Sequence, residues 1–133
     1  YTLCPYINGT WPAEDLPSSI DNEGIFITVG SNLIPMGYGI EHLEAKNPVA
    51  WPRFATVDDV AAFPPTMVNV NECDPLRDEG IEFYRLLLSA GVKAHCRQVM
   101  GTMHAADLFI SAFPDLSRMT ARDIKAWVNE CKL

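Results

Sequence analysis

Long apolar runs are absent from this chain. No stretch approaches the roughly 20 consecutive apolar residues that a bilayer-spanning helix needs. No charged segment leading into an apolar core opens it, so no signal peptide is visible. Positive charge is scarce: 10 Lys and Arg stand against 17 Asp and Glu, a formal net charge of -7. So acidic a chain repels phosphate backbones, which argues against nucleic acid as a partner. Metal-binding patterns are missing too. The three histidines (His42, His95, His104) lack H-E-x-x-H spacing, and the four cysteines (Cys4, Cys73, Cys96, Cys131) form no C-x-x-C pair. No metal is expected. Free, buried thiols in a reducing, cytoplasmic compartment are expected instead. The Asn8-Gly9-Thr10 sequon would matter only in a secreted protein. Internal repeats and low-complexity segments are also lacking.

What is present suits one domain. The 133 residues are 48% hydrophobic, enough for a single core spanning 1–133. The chain opens at Tyr1 without Met and inside an apolar run, Tyr1 to Tyr6, so it is expected to be a piece of a longer protein.

Tyr1 to Cys4 reads as a short strand stopped by Pro5, and residues 8 to 19 as loop. Ile25 to Ile34 reads equally as strand or helix. Pro35, Gly37 and Gly39 should break whatever precedes them. Thr66 to Asn71 reads as a strand, led in by Pro64-Pro65 and ended by Glu72-Cys73-Asp74-Pro75. A helix is predicted from about Asp78 to Ala90. It has acids in its first turn, an apolar stripe of Ile81, Tyr84, Leu87 and Leu88, and Gly91 as its stop. Residues 92 to 100 form a second strand and Gly101 to His104 a turn. A last helix is predicted to start near Thr120, with Asp123 as a capping partner and Ile124, Trp127, Val128 and Cys131 as its apolar face. Strand–helix–strand–helix is an α/β pattern with parallel neighbours.

In open α/β sheets, functional groups collect on loops beyond the carboxyl ends of the strands. Asp74 follows the first clear strand and His104 the second, 104 − 74 = 30 residues later. One helix and one strand fill that interval, so both loops emerge at one edge. A carboxylate beside an imidazole fixes its tautomer and stabilises its protonated form, as a general base acting on serine requires. Locally, Asp74 before Pro75 suits a simple turn equally well. Asp78 is the rival acid, although its first-turn position suits the helix dipole. Glu72 reads as a supporting or surface group, and His95 as a packed or surface residue. His42 has no recognisable context.

Pro64-Pro65-Thr66-Met67-Val68, Asp74-Pro75-Leu76-Arg77-Asp78-Glu79-Gly80, Ala90-Gly91-Val92 and Gly101-Thr102-Met103-His104 resemble the C-terminal part of α/β-hydrolase-fold esterases of the hormone-sensitive-lipase-like group. Cys4-Pro5-Tyr6-Ile7 and Asn47-Pro48-Val49-Ala50-Trp51-Pro52 resemble its brefeldin A esterase-like branch. The resemblance covers nearly the whole chain. It implies a mostly parallel sheet flanked by helices, a small ester substrate, no cofactor, Asp74 as triad acid and His104 as triad base. It also implies that residues 23 to 45 are mostly helical and lie near the substrate entrance. The family's nucleophile sits in a G-x-S-x-G elbow and part of its oxyanion hole in a His-Gly-Gly-Gly-type loop. Neither motif occurs in residues 1–133. Ser31 is the best substitute nucleophile within the chain, but Val29 and Leu33 stand where the elbow needs small residues. Tyr6, Trp11 and Trp51 would line an acyl or alcohol pocket or else form plain core.

Two functions follow from these readings. One is a serine carboxylesterase to which this chain supplies acid and base. The other is a non-catalytic, receptor-like ligand binder of the same fold. Half a sheet exposes an edge and apolar helix faces, so a covering partner is expected. That partner is the N-terminal half of the same protein, another chain, or a second copy in a homodimer.

Overall fold

In the computed structural model, residues 1–29 and 33–131 are described. The element order is β1 (Thr2–Leu3), α1 (Ser18–Asp21), α2 (Leu33–Tyr38), α3 (Ile40–Glu44), α4 (Val57–Val60), β2 (Thr66–Asn71), α5 (Arg77–Ser89), β3 (Ala94–Val99) and α6 (Pro114–Glu130). The strands lie in the order β1-β2-β3 and every pairing is parallel. Thr66 to Asn71 run in register with Ala94 to Val99, so β2 and β3 end level. Among the described residues, no helix is long and apolar enough to cross a membrane.

Alternation along the strands sorts side chains to two faces. Val68 and Val70 are fully buried and pack with Ala94, Cys96, Phe83, Leu87 and Val92 under α5. Gly80 lets that helix approach closely, since a Cβ there would meet Val70 Cγ1 at 2.6 Å. The intervening residues of β2 and β3 build a polar face that α6 covers. Arg97 spans it, donating to Asn69 Oδ1 at 2.6 Å, Thr120 Oγ1 at 2.7 Å and Asp123 Oδ2 at 3.0 Å.

The helix after β2 ends as its sequence predicts. Val92 N–H bonds to Leu87 C=O and Gly91 N–H to Leu88 C=O, with Gly91 at φ +75°. This is the Schellman arrangement that glycine favours. Its buried stripe differs by one position: Phe83 is buried and Leu88 is 46% exposed.

Further expectations need correction. The last helix begins at Pro114, not near Thr120, because Pro suits the first helical position and Asp115 the first turn. Thr120 and Asp123 are not its cap but partners of Arg97, and Val128 is 52% exposed. Pro35 and Gly37 do not break the chain but lie within α2, which stops before Gly39 at φ +116°. Pro35 falls in the first helical turn, where its missing N–H has no partner to lose. Among the described residues between 23 and 45, helix covers 33–38 and 40–44, more than half of them as expected, while residues 24–29 are irregular. The cysteines are free as expected, but only Cys4 is buried.

A second cluster of Trp11, Val29, Trp51 and Leu76 seats the 5–16 segment. There Glu79 of α5 is buried and accepts from Ile7 N–H at 2.6 Å, Asn8 N–H at 3.3 Å and Trp11 Nε1–H at 2.7 Å. Burial pushes its carboxyl up to about 7, against the lowering pull of those three donors. Asn8 is itself buried, with its amide donating to the Thr10 carbonyl, so the sequon is not presented at the surface.

Candidate active site

Because β2 and β3 end level, the loops that follow them meet. The first turns sharply into α5 and carries Asp74, which is wholly buried. The Leu76 N–H donates to Asp74 Oδ1 at 2.8 Å, and Asp74 Oδ2 lies 2.9 Å from His104 Nδ1. In the tautomer protonated at Nδ1, the Nδ1–H donates to this carboxylate and Nε2 keeps its lone pair. No described residue bonds Nε2, and the His104 side chain is 21% exposed. The pair thus places a partly exposed imidazole against a carboxylate that water does not reach, an arrangement that can serve as a general base.

The His104 loop is tied down along its length. Gly101 N–H donates to Glu72 Oε2 at 2.6 Å, and Cys73 N–H to Thr102 C=O at 2.9 Å. Asn71 Nδ2 donates to Thr102 Oγ1 at 2.7 Å and to Asp107 Oδ2 at 3.1 Å. Asp107, in the turn Ala106–Leu108, also receives Thr120 Oγ1–H and pairs with Arg97 at 3.4 Å. Glu72 thus supports the loop, as one of its two readings supposed. Asn71, Asp107 and Cys4 are missing from the sequence reading. Cys4 and Asn71 stand at strand ends, the one signal that singles them out, whereas Asp107 lies in the turn after His104 and carries none.

The other candidates lie elsewhere. Asp78 accepts from Ser18 N–H at 2.7 Å and Arg77 Nε–H at 2.8 Å, and does not face His104. Burial pushes its carboxyl up, but Arg77 and Ser18 outweigh that and hold it below the usual range. His95 is exposed, its ring edge-on to Trp127 at 5.4 Å. His42 is exposed, 3.9 Å from Glu41. Ser31 and the Leu33 side chain lie outside what is described. Tyr6 and Trp51 line an apolar cavity of about 390 Å³ with Ile34, Tyr38 and Ala50, whereas Trp11 is core.

A family model described as the alpha/beta hydrolase fold matches residues 3–108. Among solved structures, esterase Est22 with p-nitrophenol is 59% identical at a TM-score of 0.91, covering 98% of this chain and 38% of that one. Brefeldin A esterase, a bacterial homologue of human hormone-sensitive lipase, is 40% identical at a TM-score of 0.87, covering 96% and 37%. Carboxyl esterase 2 from the mycorrhizal fungus Tuber melanosporum is 27% identical at a TM-score of 0.63, covering 77% and 33%. The chain thus spans well under half the length of these proteins. No curated protein matches it.

Proposed function

This chain belongs to the alpha/beta hydrolase fold family, in its hormone-sensitive-lipase-like group, and we propose that it supplies acid and base to a serine carboxylesterase. The observation that carries this reading is the 2.9 Å contact between His104 Nδ1 and a wholly buried Asp74.

In the complete protein, a serine outside this chain attacks the ester carbonyl. His104 Nε2 takes the hydroxyl proton as the C–O bond forms, and Asp74 stabilises the resulting imidazolium. His104 then returns that proton to the departing alcohol, leaving an acyl-serine. Water, deprotonated by the same Nε2, releases the carboxylic acid and restores the serine. Triad members act as a unit, so 1–133 alone is not expected to turn over esters. The substrate is a small ester, and the reaction needs no cofactor. The apolar cavity beside Tyr6 and Trp51 suits an apolar substituent of that ester.

The rest of the same protein is the proposed partner, with a second copy as the other arrangement. Among the described strands, β1 pairs on one side only. Leu108, Phe109, Ile110 and Phe113, which follow the His104 loop, are all exposed. A receptor-like, non-catalytic role is disfavoured because the acid–base pair is kept whole.

The test is made on the complete protein with a p-nitrophenyl ester and a serine-directed fluorophosphonate. Asp74→Asn and His104→Ala should each lower kcat on the order of 10,000-fold, since a mis-set tautomer and a lost base are comparably damaging. Near-native hydrolysis by either variant would sink the proposal.

A further inference from the structure

Two non-glycine residues adopt left-handed backbone beside the acid–base pair. Cys4 has φ +45° and Ala105, directly after His104, has φ +55°. Such conformations cost on the order of 1 kcal/mol or more each and persist where surroundings over-determine them. Here the two strained residues bond to one another: Ala105 N–H donates to Cys4 Sγ at 3.3 Å. The thiol in turn donates to Asn71 Oδ1 at 2.8 Å. Burial, opposed by the Ala105 N–H and reinforced by the Asp74 and Asp107 carboxylates, pushes Cys4 up to about 12. It is therefore a neutral S–H at physiological pH, able to accept from one neighbour while donating to the other. Its sulfur, a carboxylate oxygen of Asp74 and a ring nitrogen of His104 all lie within 4.8 Å of one another.

Asn71 gives this contact its reach. The same amide that holds the thiol also holds Thr102 and Asp107. One buried side chain at the end of β2 thus grips the His104 loop two residues before the imidazole and three after it. Through the thiol it also grips the residue immediately following.

We propose that Cys4 is a positioning residue for His104, its thiol relaying the fixed place of Asn71 to the backbone that sets the imidazole against Asp74. The inference rests on the esterase reading above. A sulfur-free loop would leave Ala105 N–H without its partner and let the ring drift from Asp74. A misplacement on the order of 1 Å is enough to cost about 100-fold in rate.

The test uses the complete protein, with Cys4→Ala, Cys4→Gly and Cys4→Ser. Glycine carries no penalty at positive φ, so C4G provides a sulfur-free protein should C4A fail to accumulate. Both should lose about 10- to 100-fold in kcat with KM near wild type. Their acid limb in kcat/KM should move to lower pH, because a looser Asp74 stabilises the imidazolium less. Serine also donates to Asn71 and accepts from Ala105, so C4S should recover most of the rate and the wild-type limb. C4A or C4G with unchanged kcat and acid limb overturns the inference, as does a loss equal in all three variants with no movement of that limb. If Asp74→Asn and His104→Ala were themselves active, the esterase reading would fail instead, so the two failures are separable.

Discussion

The Trp11 indole N–H donates to Glu79 Oε2 at 2.7 Å, joining the loop after β1 to the first turn of α5 inside the core. The other carboxylate oxygen holds Ile7 and Asn8. One acidic side chain therefore closes the segment that follows Cys4 against the helix that follows Asp74.

That closure should depend on pH. Glu79 has a carboxyl raised from 4.5 to about 7, with burial the leading cause. The folded protein then holds a proton that the unfolded chain releases. The associated stability is full below about 4.5, declines between 4.5 and 7, and is gone above. Its size is about 3 kcal/mol, at 1.36 kcal/mol per pH unit. Glu79→Gln should flatten this decline while leaving Trp11 Nε1–H partly unmatched. Urea unfolding of both proteins across pH 4.5 to 7 is the measurement, and parallel curves would refute the assignment.

Gly80 should tolerate no side chain. An added Cβ would lie 2.6 Å from Val70 Cγ1 and 3.2 Å from Pro5 Cγ, both held in packed structure. Gly80→Ala should lose about 1–3 kcal/mol despite the helix propensity it gains. A thermal midpoint equal to or above wild type would show that α5 can lift away from the sheet at no cost.

Arg97 should matter more than its charge suggests. Removing it leaves Asp107 and Asp123 without their shared cation and Asn69 Oδ1 without its donor. Because Arg97 is about one-third exposed, the expected loss for Arg97→Met is about 2 kcal/mol, short of the 3–5 kcal/mol of a fully buried pair. Adding Asp107→Asn should recover part of it, and a double-mutant cycle reads the coupling. Strictly additive losses would mean that the two side chains do not act together.

The sequence made much of this architecture legible where period and punctuation agree. Thr66 to Asn71 is bounded by Pro64-Pro65 and Asp74-Pro75, and Gly91 marks the end of α5 because no other residue sits as easily there. Level strand ends are what bring Asp74 and His104 together, and an interval of 30 residues filled by one helix and one strand was enough to foresee it. Thr120 misled, since a hydroxyl three residues before an acid has the pattern of a helix start. In the fold the same two groups face β3 and hold Arg97. That choice is made by tertiary contact and leaves no local trace. Cys4 and Asn71 were equally silent, being ordinary residues whose worth comes from partners far along the chain.

Every described tether of the His104 loop originates within these 133 residues: Glu72, Cys73, Asn71, Cys4, Arg97 and Thr120. The imidazole is thus held against Asp74 by contacts that this chain supplies. In engineering terms, this makes the chain a natural half for fragment complementation. On the proposed esterase reading, a separately produced nucleophile-bearing portion would dock against an Asp74–His104 contact already made.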